Sequence, residues 1–137
     1  MNKIMIFTNG CFDILHIGHI KLLEYCKSLG EYLIVGINSD ISVSKLKGHD
    51  RPINNHIYRA YLLNALKVVD DVVIFSDTGP GDFLRAVRPT IHVKDSKYEK
   101  AFIPEIYLSE HLGFELRFFS NIDGISTTNI IERIKGL

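Results

Sequence analysis

The run Thr8-Asn9-Gly10-Cys11-Phe12-Asp13-Ile14-Leu15-His16-Ile17-Gly18-His19 holds a pair of histidines spaced His-x-x-His around a glycine. It follows the apolar segment Ile4-Met5-Ile6-Phe7 and precedes an amphipathic stretch from Ile20 to Leu29. Glycine, imidazole and a helix start at the end of a strand are the parts from which α/β proteins build phosphate sites. With Gly18 at the helix start, both imidazoles face the crevice above the first strand. Gly18 leaves room for a phosphate to approach the backbone, and the free N–H groups of the first turn help bind it. The imidazoles then donate hydrogen bonds to a polyphosphate as negative charge develops on it. The rival chemistry is zinc, for which His-x-x-His offers a pair of ligands, but no further Cys, His or Glu cluster lies nearby in the sequence. A purely structural pair is the other alternative. No protein metal site is expected.

The elements that must position this pair alternate along the chain. Short, mostly continuous apolar runs predict strands over 4–7, 32–37, 71–75, 90–93 and 115–119, the pattern of a sheet covered on both faces. Helical patterns predict helices over 18–29, 41–46, 57–68, 81–87, 103–112 and 127–135, with Gly30 and Gly113 where helices stop. This order implies a Rossmann-like, doubly wound parallel sheet of five strands in a single domain over residues 1–137. Two polar segments, 47–55 and 95–100, look irregular and border the carboxyl ends of strands, where ligands bind in such sheets.

Composition narrows the class. Of 137 residues, 46% are hydrophobic, enough for a packed core. Lys plus Arg and Asp plus Glu both number 16, and a chain of zero net charge is a poor nucleic-acid binder. Cys11 and Cys26 form no metal or redox motif and read as free thiols of a reducing compartment. No leader is expected before the first strand, and no apolar run approaches the roughly 20 residues of a membrane span. A cytoplasmic protein with no membrane partner is expected.

The segment His16-Ile17-Gly18-His19 resembles the His-x-Gly-His signature of the nucleotidylyltransferase superfamily. The likeness continues through Gly10-Cys11-Phe12-Asp13, Val35-Gly36-Ile37-Asn38-Ser39-Asp40, Leu46-Lys47-Gly48 with Arg51-Pro52-Ile53-Asn54, and Arg59-Ala60. It closes on Asp123-Gly124-Ile125-Ser126-Thr127-Thr128-Asn129 and so covers nearly the whole chain. The resemblance implies transfer of a nucleoside monophosphate from a triphosphate to a phosphorylated acceptor, with pyrophosphate released. His16, His19 and Lys47 are then the catalytic residues. Thr8, Gly10, Cys11, Phe12, Arg59, Ser126, Thr127 and Thr128 are the nucleotide-binding ones. Mg²⁺ enters with the triphosphate, and a homodimer is implied.

Each block also has a reading of its own. One of Ser126, Thr127 and Thr128 caps the last helix, and the others, with free N–H groups, hold the β- and γ-phosphates. Lys47 and Arg51 reach phosphates from above, although each alone reads as a solvated charge. Arg59 alone reads as a salt-bridge partner. Asp13 orders the loop by accepting from backbone N–H groups. Asp40 caps the second helix or, less favoured, approaches a substrate.

Two branches are closest. The heptose-phosphate adenylyltransferase branch matches the Lys47-to-Asn54 run, with ATP and a sugar phosphate such as D-glycero-D-manno-heptose 1-phosphate as implied substrates. The glycerol-3-phosphate cytidylyltransferase branch, using CTP, shares Ile125 but carries an arginine before the closing motif, where this chain has Asn121-Ile122-Asp123. Both branches depart at Asp95-Ser96-Lys97-Tyr98, where the heptose branch has Gly-Gly-Asp-Tyr. That change alters the acceptor edge and leaves the reaction class in place. A nucleotide-binding module with a degraded acceptor site is the remaining alternative, and the intact histidine pair and Ser-Thr-Thr block argue against it.

Overall fold

The computed structural model describes residues 3–76, 80–99 and 103–137. Its strands are β1 (Met5–Gly10), β2 (Tyr32–Asn38), β3 (Asp71–Phe75), β4 (Ile91–Asp95) and β5 (Glu115–Phe119). The helices are α1 (Ile17–Ser28), α2 (Asp40–Lys47), α3 (His56–Asn64), α4 (Gly81–Val87), α5 (Pro104–Leu112) and α6 (Thr127–Lys135). All strands are parallel, in the order β3-β2-β1-β4-β5. The chain winds outward from β1 to β3 and then crosses to β4 on the other side of β1. The switch point therefore lies between the carboxyl ends of β1 and β4.

The continuous apolar runs explain the sheet. Successive side chains point to opposite faces. Ile6, Leu33, Val35 and Val93 pack with Leu22, Leu23 and Cys26 of α1 and Leu63 of α3. Their neighbours Phe7, Ile34 and Phe75 pack on the other face with Leu84 of α4 and Leu108 of α5. Gly36 sits in the centre of this contact: a Cβ there would lie 2.3 Å from Phe75 Cε2 and 2.8 Å from Phe7 Cζ.

Three expectations are corrected. Thr8-Asn9-Gly10 is not loop; it extends β1 by pairing with Val35, Gly36 and Ile37. The third helix stops at Asn64 rather than 68. Leu66 and Val68 pack against the core, and Val69 enters it at 7% exposure. Asp70 then donates its N–H to Leu33 O at 3.0 Å. The periodicity thus continues after the helical backbone has ended. Residues 95–98 are ordered, with Asp95 closing β4 and a 3₁₀ turn over Ser96–Tyr98 that Asp95 Oδ1 caps through Lys97 N at 2.9 Å. Met1, Asn2 and Lys100 lie outside the described residues.

Candidate functional site

A cleft of about 820 Å³ opens at the switch point, floored by Asn9, Gly10 and Cys11 of the β1 end and by Lys94 and Asp95 of the β4 end. The histidine pair forms one part of its lining, the start of α6 another, and Lys47 and Arg51 a third.

The histidines are held by the helix they begin. The helix starts at Ile17 rather than Gly18, and His16 is its N-cap: its Nδ1 accepts from Gly18 N at 3.1 Å, and His19 Nδ1 accepts from His16 N at 3.2 Å. This is a capping box made of two imidazoles, where Ser or Thr and Glu or Gln usually serve. Because a backbone N–H donates to each Nδ1, the ring proton of each neutral imidazole must sit on Nε2. The rings stack at 3.8 Å between centroids, and Phe12 lies 5.1 Å from His19. Burial lowers the pKa of His16; burial, then the neighbouring His16, lowers that of His19 to about 3. Both are therefore neutral Nε2–H donors at physiological pH. The Gly18 N–H, expected to be free for a phosphate, is used by His16, and a Cβ at Gly18 would lie 2.9 Å from the His16 ring and 3.1 Å from Asn121 Oδ1. Asn121 Nδ2 also donates to Gly18 O at 3.1 Å, which braces the turn.

The loop before the histidines is strained and anchored. Phe12 and Ile14 have φ of 52° and 49°, unusual for residues with a Cβ. Asp13 holds them in place: Oδ2 accepts from Ile53 N at 2.6 Å and Oδ1 from Asn54 N at 3.0 Å. Asp13 does order backbone, but it ties this loop to a distant segment.

Ser126 is the N-cap of α6, accepting from Asn129 N at 3.0 Å. The Thr127 hydroxyl donates to Asp13 O, joining the α6 start to the strained loop. Thr127 N and Thr128 N have no acceptor among the described residues and stand at the positive end of the helix. Arg51 Nη1 lies 3.5 Å from Thr128 Oγ1, and Lys47 is exposed at the end of α2. At the far edge Lys94 is 9% exposed and paired with Glu105 at 3.8 Å. Lys94 and Lys97 lie 4.5 and 5.1 Å from the Tyr98 ring centroid. Burial pushes the Lys94 pKa down while Glu105 opposes it.

Among the expected site residues, the cleft gathers His16, His19, Lys47, Gly10, Cys11, Phe12, Ser126, Thr127 and Thr128. Two do not line it. Thr8 is fully buried and its Oγ1 donates to Val93 O at 2.8 Å, joining β1 to β4. The Arg59 side chain has no exposed surface, and its guanidinium is spent on protein: Nε on Asn54 O, Nη1 on Cys11 O and Asn38 O, and Nη2 on Asp40 Oδ1, all within 2.9 Å. Asp40 is accordingly Arg59's partner, and Ser39 is the cap of α2. Both cysteines are free, and burial raises the Cys11 thiol pKa against the pull of Lys47 and Arg59. Cys11 is thus a lining group and a poor nucleophile. Sequence reasoning missed Asn9, whose signal was its place between Thr8 and Gly10, and Asn121, which carried none.

Among the described residues no cluster of three or more His, Cys, Asp and Glu is arranged to hold a metal ion. No helix among them is long and apolar enough to cross a membrane.

Comparison with known proteins gives the family and the fold. The cytidylyltransferase-like family model matches residues 7–133. The bifunctional protein HldE of Aliarcobacter butzleri is 46% identical over 135 residues, 98% of this chain and 28% of that protein. HldE of Nitratiruptor sp. is 47% identical over 133 residues, 97% of this chain and 28% of its own length. The chain therefore spans little more than a quarter of the curated relatives it matches. A lipopolysaccharide core biosynthesis protein from Thermoplasma volcanium superposes with a TM-score of 0.74 at 28% identity, covering 89% of this chain and 100% of that one. A pantoate-beta-alanine ligase from Francisella tularensis shares the fold, with a TM-score of 0.60 at 15% identity over 97% of this chain and 69% of its own.

Proposed function

The chain belongs to the cytidylyltransferase-like family, and from that premise we propose that it transfers AMP from ATP to a sugar phosphate such as D-glycero-D-manno-heptose 1-phosphate. The observation that carries this reading is the pair of Nε2–H donors, each set by a backbone N–H, in one cleft with the unpaired N–H groups of α6. The heptose assignment rests on the motif likeness, which the 46–47% identity to HldE proteins supports.

In the proposed reaction an acceptor phosphate oxygen bonds to the α-phosphorus while the bond from that phosphorus to the β-bridging oxygen breaks. Pyrophosphate leaves with the bonding electron pair, so no covalent enzyme intermediate is needed. Such a step is accelerated by alignment and by offsetting charge. His16 and His19 donate to the phosphoryl oxygens on which charge grows. Lys47 and the N–H groups of Thr127 and Thr128 hold the leaving pyrophosphate, and Ser126 keeps that helix start in shape. Gly10, Cys11 and Phe12 shape the floor. The carboxylates of the lining, Asp13, Asp95 and Asp123, form no metal-holding cluster among the described residues, so a Mg²⁺ brought by the triphosphate would be held mainly by phosphate and water and would offset phosphate charge.

Pyrophosphate release should be measured with ATP and CTP, each against heptose 1-phosphate and glycerol 3-phosphate. Release is expected with ATP and the heptose phosphate. A preference for CTP with glycerol 3-phosphate overturns the substrate assignment, and release from no pair overturns the activity.

We also infer a cytoplasmic homodimer. The exposed row Ile57, Tyr58, Tyr61 and Leu62 along one face of α3 supports the dimer, because a second copy would cover it. Light scattering should give twice the 15.6 kDa chain mass. A monomer at assay concentration overturns the dimer.

A further inference from the structure

His92 lies in the middle of the sheet, on β4, with no exposed surface. Its ring packs 5.0 Å from Phe7 and 5.9 Å from Phe114. A histidine is a costly choice there, where the neighbouring core positions are aliphatic or aromatic. Among the described residues its one polar contact is Nε2 to Asn9 Oδ1 at 2.9 Å, and its buried Nδ1 has no partner. An unpaired buried N–H is rarer than an unpaired acceptor. The ring proton therefore sits on Nε2 and donates to Asn9 Oδ1. Burial, then Lys94, lowers the His92 pKa to about 3, so this neutral form persists at all working pH values.

The consequence falls on Asn9. Its amide cannot turn over without losing the His92 bond and setting two N–H groups against each other. Asn9 lines the cleft with Gly10, His16, His19 and Lys94. Its Nδ2 has no hydrogen-bond partner among the described residues. Nδ2 is not among the buried atoms that lack a partner, so it is a free donor on a residue of the cleft floor.

We infer that Asn9 Nδ2 donates to a phosphoryl oxygen of a substrate in the cleft and that His92 is the positioning residue that aims it. This rests on the phosphate-binding role proposed for the cleft. The phosphoryl group belongs either to the triphosphate or to the acceptor, so ATP with Mg²⁺ and inorganic phosphate serve as separate probes.

Dissociation constants for each probe should be measured by calorimetry on the full chain. Asn9→Ala is expected to weaken one probe about tenfold, the usual scale for a hydrogen bond to a charged group, and that probe identifies the source. His92→Leu should weaken the same probe by roughly threefold to tenfold. His92→Gln, whose amide N–H reaches a similar point, should recover most of it. In the Asn9→Ala background His92→Leu should change nothing further. Equal losses in both backgrounds, or no loss in either variant, overturn the inference. If His92→Leu fails to fold, the wild-type Asn9 side-chain amide resonance decides: it must shift with the binding probe, and an unmoved resonance on binding overturns the assignment. A wild-type chain that binds neither probe overturns the phosphate reading of the cleft along with it. A chain that binds ATP through Asn9 yet releases no pyrophosphate overturns only the proposed activity.

Discussion

Replacing His16 or His19 by alanine is expected to lower the rate of pyrophosphate release by about two to three orders of magnitude, the usual loss when one preorganised donor to a developing oxyanion is removed. The size follows from how little the donors must reorganise. Each Nδ1 is already bound to a backbone N–H, so each Nε2–H is aimed before substrate arrives. Each alanine also removes half of the capping box, which costs about 1 kcal/mol of stability. His16→Asn separates the two effects. Asparagine is a good N-cap, so the cap and the melting temperature should be kept while the donor that reaches the cleft is lost. Activity should fall as far as in His16→Ala. Near-normal turnover in any of these variants, at unchanged secondary structure, sinks the phosphate role of the pair.

Arg59→Ala should be the most destabilising single change of a charged residue outside the cleft lining. Removing one partner of a buried, hydrogen-bonded ion pair costs about 3–5 kcal/mol. Asp40 is 36% exposed and can regain water, so a loss near 3 kcal/mol, the low end of that range, is expected. The guanidinium joins the loop after β1, the end of β2 and the segment before α3 through the carbonyls of Cys11, Asn38 and Asn54. All three face the carboxyl end of the sheet, so the cleft floor should loosen as well. Arg59→Lys should rescue little, because one ammonium cannot fork to four acceptors. Urea denaturation checks the stability, with ATP binding followed in parallel. Unchanged stability with lost ATP binding would restore Arg59 as a nucleotide contact.

The order of elements was legible because apolar runs and helical periods are local. So were two helix ends marked by residue type: Gly113 takes the left-handed conformation at φ 79°, and Ser126 caps α6. The third helix was misjudged because a core-facing period looks the same whether Leu66, Val68 and Val69 belong to a helix or to the turns that follow it. Arg59 and Thr8 fit the motifs as well as Lys47 did, and no local pattern says whether a guanidinium meets solvent or a ring of carbonyls.

By itself, then, the sequence determined the alternating elements, the histidine pair beside a strand end, and the placing of Ser126-Thr127-Thr128 at a helix start. These depend on periodicity and on residue types close together in the chain. Only the tertiary structure decided which nitrogen of each imidazole faces the cleft, why residue 18 must be glycine, and that Arg59 is a tether. Those outcomes depend on meetings across the fold, such as Asn121 with Gly18 and Arg59 with Cys11, separated by 103 and 48 residues. The direction of a hydrogen bond is settled by the partner it meets, and the strand order of the sheet decides which distant segments meet.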